Sequence, residues 1–100
     1  RGPMVLSQVP SCWGNIIPVW SFLWVMAVWE YYDYSGDAAS LKKLWSAVRQ
    51  NLRAASFQLN DRALFEAPWW NLFEWADVDN NERIVLYNSL FFLGAVEAAR

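Results

Sequence analysis

A chain of 100 residues with ten acidic and eight basic side chains, net charge −2, has room for one small domain and lacks the basic surplus of a nucleic-acid binder. The absence of histidine excludes imidazole catalysis and most zinc sites, and the single Cys12 excludes an intrachain disulfide. Apolar residues reach 56%, with eight Trp and six Phe, against roughly 45–50% in ordinary soluble domains, so the chain is expected to be a piece of a larger globule or a subunit that buries a face against a partner.

Residues 1–18 hold Pro3, Pro10 and Pro18, with Gly2 and Gly14 between them, and read as an irregular, extended lead-in. No charge occurs from Gly2 to Trp29. The apolar run Ile16–Trp29 covers only fourteen residues, short of the roughly twenty that cross a bilayer. It is followed by Glu30 and Asp33, so a buried core helix is expected and no membrane span. A charged start, an apolar stretch and a small-residue cleavage site do not line up, so no signal peptide is read.

The first helix is predicted from about Val19 to Tyr34. Phe22 through Trp29 leave it no polar face over two turns, the pattern of a helix covered on all sides. Gly36 supplies a C′ stop and Asp37 an N-cap for the next helix. That second helix is predicted from Ala38 to Ser56. Leu41, Leu44, Trp45, Val48, Leu52 and Ala55 form a one-sided stripe, while Lys42, Lys43, Ser46, Arg49, Gln50 and Arg53 take the solvated side.

Asn60, Asp61 and Arg62 signal a turn, and Leu64, Phe65 and Glu66 a short strand. Pro68 keeps Ala67 extended. Asp79 with Glu82 resembles a capping box, and a third helix is predicted from about Glu82 to Ala99, interrupted only by Asn88, Ser89 and Glu97. Two wholly apolar helices around one amphipathic helix suit two concentric layers, with an enclosed inner ring and a wet outer one. An all-α fold follows, in which helical hairpins make up a sector of an α/α toroid and a long aromatic loop joins outer to inner helix.

That loop, Glu66–Asp79, carries Trp69, Trp70 and Trp75 interleaved with Asn71, Glu74 and Asp77. A core wants rings without charge, and a solvated loop wants charge without rings. A sugar pocket wants both, with flat rings for the C–H faces and carboxylates or amides for the hydroxyls. Trp69, Trp70 and Trp75 are candidate stacking platforms. Glu74 is the leading hydroxyl acceptor, with Asn71 and Asp77 behind it. Trp13 and Asn15 are placed at the border of the same pocket, since they precede the first helix as the aromatic loop precedes the third. For Trp70 and Phe73 the alternative is that they close the top of the core; for Asp77 and Asp79, that they are turn and cap residues.

The stretches Ile16 to Ser21, Leu23-Trp24, Glu30 to Asp37 and Phe73 to Asp77 together resemble the six-hairpin catalytic domain of bacterial α-L-rhamnosidases. In that family an apolar helix ends in Tyr-x-x-Tyr-(Thr/Ser)-Gly-Asp, matched here by Tyr31, Tyr34, Ser35, Gly36 and Asp37. An amphipathic helix and a loop with an acidic-Trp pair follow, here Glu74-Trp75 where the family has Asp-Trp. The family's acidic residue near Trp20 is missing, and Arg62-Ala63 stand where its turn carries Gly. The resemblance implies inverting hydrolysis of an α-linked rhamnoside, a reaction needing two carboxyl groups about 6.5–9.5 Å apart. The family's acid lies upstream of this region and its base downstream, so no catalytic residue is assigned in this chain.

As a partial domain the segment is expected to supply sugar-binding wall and to be inactive alone. No cofactor and no metal are implied. The expected partners are a carbohydrate and either the remainder of a parent domain or further copies of the chain. The competing reading is a small helical interaction module that oligomerises or docks a protein through an exposed aromatic face.

Overall fold

The computed structural model describes residues 4–72 and 86–100. Within them the chain forms α1 (Pro18–Ser35), α2 (Ala38–Ser56) and α3 (Leu86–Ala98). The predicted all-α architecture is the observed one. α1 begins one residue earlier than expected, because proline at the first helical position has no N–H to lose and a φ already set for the helix. The predicted capping box at Asp79 and Glu82, and the start of the third helix, lie outside the described residues.

The joint between α1 and α2 follows its sequence signals. Gly36 takes φ 66°, and its N–H donates to the Tyr32 carbonyl at 2.8 Å. This left-handed position is one an L side chain adopts at a cost. Asp37 then caps α2 by accepting the Ser40 N–H at 3.0 Å and the Ser40 hydroxyl at 2.6 Å.

The core lies where α1, α2 and α3 meet the segment 58–67. Phe22, Phe65 and Phe92 are its centre: Phe22 meets Phe65 edge-on at 5.3 Å and Phe92 at 5.5 Å. Met4, Val25, Val48, Ala55 and Ala95 complete it. α3 approaches α1 closely at Gly94, where a Cβ would come within 2.8 Å of the Met26 methyl carbon.

Within the expected strand over Leu64–Glu66, Phe65 pairs with Leu59 in an antiparallel bridge. A side chain explains the tight turn just before it, at the expected Asn60–Arg62 position. Asn60 Oδ1 accepts the N–H groups of Arg62 and Leu64 at 2.9 and 3.1 Å, closing the chain within four residues. Ala63 is forced to φ 58° in that turn, at the point where the sequence departs from the family's glycine.

α1 and α3 do not complete their burial within the described residues. α1 buries Val19, Phe22, Val25 and Val28 but leaves Trp20, Leu23, Trp29 and Tyr31 exposed. α3 leaves Leu86, Leu90 and Leu93 more than half exposed, at 64%, 52% and 59%. Positions 86, 90 and 93 fall on one helix face, as do 20, 23, 27 and 31 on α1. Among the described residues no helix is long and apolar enough to cross a membrane.

Candidate carbohydrate site at the head of the hairpins

The N-terminal segment and the aromatic loop meet beside the start of α1. Ser7 N–H donates to the Asn15 carbonyl at 3.0 Å, and the Ser7 hydroxyl also engages the Asn15 side chain. These contacts close the segment 7–15 into a loop. Inside it the Ser11 hydroxyl oxygen accepts the Trp13 N–H at 3.0 Å, which fixes the backbone that carries the Trp13 indole.

Trp13 is 54% exposed, and its ring lies 5.9 Å from that of Trp70 with the planes tilted by 38°. Trp70 is half-buried. It packs on a small cluster of Ile17, Val19 and Leu72, together with Phe91. Trp69 is also half-buried but rests on the main core. The two neighbouring indoles therefore face different surroundings: Trp69 seals the core, and Trp70 joins Trp13 at the surface.

Asn71 is only 2% exposed. Its Nδ2 donates to the Ala67 carbonyl at 3.1 Å, and its Oδ1 accepts from Asn88 Nδ2 at 2.9 Å. These bonds tie the base of the loop to α3. Glu66 is held by the Asn60 amide at 3.2 Å. Glu74, Trp75, Asp77 and Phe73 lie outside the described residues.

Among the described residues, the clear electrostatic perturbation is at the α1–α2 joint. The Asp37 carboxyl is held below the usual carboxylate range, first by the Ser40 hydroxyl and then by the Ser40 N–H; desolvation opposes them, and the Tyr31 hydroxyl and the Ala39 N–H add smaller help. This is the signature of a cap. Among the described residues no cluster of three or more His, Cys, Asp or Glu could hold a metal.

Two surface grooves lie elsewhere. One, of about 400 Å³, runs among Val25, Trp29, Leu41, Trp45 and Ala98. The other lies between α2 and α3 around Leu52, Arg53, Phe57 and Val96. Neither includes Trp13, Trp69 or Trp70. Both are seams between helices, and the first is almost wholly apolar, without the convergent polar groups of a sugar site.

Sequence reasoning missed four polar residues that organise this region and its support: Ser21, Asn51, Asn88 and Ser89. Each stands as an interruption in an apolar pattern. That interruption was the available signal, since a polar side chain on a buried helix face needs a partner.

Two apolar helices flanking an amphipathic one, with an aromatic loop between outer and inner positions, define a helical-hairpin sector of an α/α toroid. The comparisons make this specific. Residues 1–99 match the family described as the bacterial α-L-rhamnosidase six-hairpin glycosidase domain, and the chain belongs to that family. It is similar to the crystal structure of the GH78 family rhamnosidase of Bacillus sp. GL1, with 37% identity and a TM-score of 0.90 over 94% of this chain. The chain spans 10% of the length of that protein. No curated protein matches the sequence significantly.

Proposed function

We propose that residues 1–100 form part of one six-hairpin domain of a glycoside hydrolase that acts on α-L-rhamnosides. The segment's share is sugar-binding wall, and the general acid and base come from other parts of that domain. Trp70 and Trp75 stack on the sugar ring, with Trp69 anchoring them to the core. Glu74 and Asp77 accept hydroxyl hydrogen bonds. Asn71 takes the place of a support beneath the rings.

The observation that carries this reading is the Trp13–Trp70 pair. Two indoles 5.9 Å apart, one of them 54% exposed, stand at the mouth of a loop whose next residues alternate rings and carboxylates. Exposed aromatic area of that kind is costly in water and is matched to the apolar face of a pyranose. Family membership names the sugar class to try first.

Titration of the full chain with L-rhamnose, followed by tryptophan fluorescence, tests it. Trp70→Ala and Glu74→Gln are each expected to weaken binding, and Glu74→Gln to do so with little change in melting temperature. Unchanged binding in both variants removes the wall from consideration. The exposed leucines of α3 favour a second reading, an interaction surface; a defined oligomer with no response to any rhamnoside supports that one instead.

A further inference from the structure

Asn88 and Ser89 stand side by side as polar breaks near the start of α3, whose remaining residues are apolar apart from Tyr87 and Glu97. Both turn toward the aromatic loop. Ser89 Oγ accepts the Phe65 N–H at 3.0 Å, where the loop leaves the core. Asn88, fully buried, donates to Asn71 Oδ1 at 2.9 Å, and Asn71 donates to the Ala67 carbonyl at 3.1 Å. Hydrogen bonds thus run from α3 through Asn88 and Asn71 to Ala67. They close residues 67–71 into a short loop, and Trp69 and Trp70 ride between its pinned ends.

The energetics argue that this link does more than stabilise. Asn88 Oδ1 is buried and meets no donor among the described residues. A partly satisfied buried amide serves stability less well than an apolar side chain of the same volume. What it offers is direction, because an amide pair fixes distance and tilt where a leucine would allow several packings.

We propose that Asn88 is a positioning residue: through Asn71 it sets the height and tilt of the Trp70 indole against Trp13, so that the platform for a pyranose is formed before the sugar arrives. The inference rests on the stacking role given to Trp70 above. A preformed platform spares the sugar the cost of ordering it.

The test uses the full chain. The near-ultraviolet circular dichroism contribution of the indole pair is taken as the difference from Trp13→Phe, and L-rhamnose binding is measured alongside. Asn88→Leu conserves volume and removes the link. The expected result is loss of the indole difference signal and binding weaker by on the order of tenfold to a hundredfold, measured well below a melting temperature that falls because Asn71 Oδ1 loses its Asn88 donor, with helix content retained. If Asn88→Leu does not fold, Asn71→Ser removes the same link from the loop side and is read the same way. A folded variant with native indole signal and native binding overturns the proposal. So does a loss of binding that merely follows the melting curve, since Asn88 is then only a core residue. The two readings fail separately. If Trp70→Ala binds L-rhamnose normally while Asn88→Leu still erases the indole signal, Asn88 positions the ring and the stacking role is wrong.

Discussion

Asn51 joins Ser21 across the α1–α2 contact: its side-chain amide donates to the Ser21 carbonyl at 3.0 Å, while its Oδ1 accepts the Val5 N–H at 2.8 Å. The Ser21 hydroxyl donates to the Val5 carbonyl at 2.7 Å. Asn51 and Ser21 are each 1% exposed. Two buried side chains therefore satisfy the backbone of an N-terminal segment that has no secondary structure to do so. Asn51→Ala removes two hydrogen bonds and strands the Val5 donor, and the expected loss is about 2–3 kcal/mol. Urea denaturation checks it. Gln50→Ala, one residue away and exposed, is the control and should stay within about 0.5 kcal/mol. Equal losses in the two variants would show that the buried link contributes nothing.

The turn at Ala63 offers a gain in stability. Ala63 has φ 58°, a conformation that costs an L residue roughly 1–2 kcal/mol. Glycine removes that strain but adds freedom to the unfolded chain, worth about 0.4–1 kcal/mol. Ala63→Gly is expected to raise stability by about 0.5–1 kcal/mol. Gly36→Ala, at φ 66°, is the same exchange in reverse and should lower it by a similar amount. Melting temperatures moving in the same direction for both variants would sink the argument.

How much of this was legible depended on how far each signal acts along the chain. The end of α1 and the start of α2 at Ala38 follow from a stop and a cap lying side by side at Gly36 and Asp37. At Ala63 the sequence shows only that the family's glycine is missing; the φ of 58° is what the fold adds. Trp13 was placed near the aromatic loop by its position ahead of α1. Polar residues inside apolar helices were harder. Nothing local to Asn51 or Asn88 names a partner, because their partners lie 30 and 17 residues away. For Asn71 composition gives chemistry without direction, and only the fold shows that it is buried and bonded to Ala67 and Asn88.

Asp37 gives the joint between α1 and α2 a pH dependence of defined sign. Its folded pKa lies below the ordinary value, chiefly through the Ser40 hydroxyl and N–H. The unfolded chain therefore binds the proton more tightly than the folded one in acid. The cap's contribution is fully present above the ordinary carboxylate pKa, near 4, and is lost as pH falls through the lowered folded value. The difference in melting temperature between the parent and Asp37→Ala should be largest near neutrality and narrow on acidification below about pH 4. A gap that widens in acid contradicts the assignment of Asp37 as an ionised cap.

The uncovered stripes on α1 and α3 separate a sector of a ring from a free-standing module. Leu90 and Leu93 are 52% and 59% exposed in the described fold. If neighbouring hairpins of a six-hairpin domain cover them, charge at these positions has opposite effects in two settings. In residues 1–100 expressed alone, Leu90→Lys with Leu93→Glu should improve solubility and leave stability within about 0.5 kcal/mol per site, since nothing there covers the leucines and an exposed apolar patch promotes association. In a complete domain the same pair would be buried without partners, and the loss should reach several kcal/mol, as for any buried unpaired charge. Sedimentation velocity on the short chain and denaturation of the long one supply the two measurements. Should the long chain tolerate both charges, the stripe faces solvent in the whole protein and a docking surface becomes the better account of α3. Should the short chain lose its fold on the same exchange, the leucines already have partners within these residues.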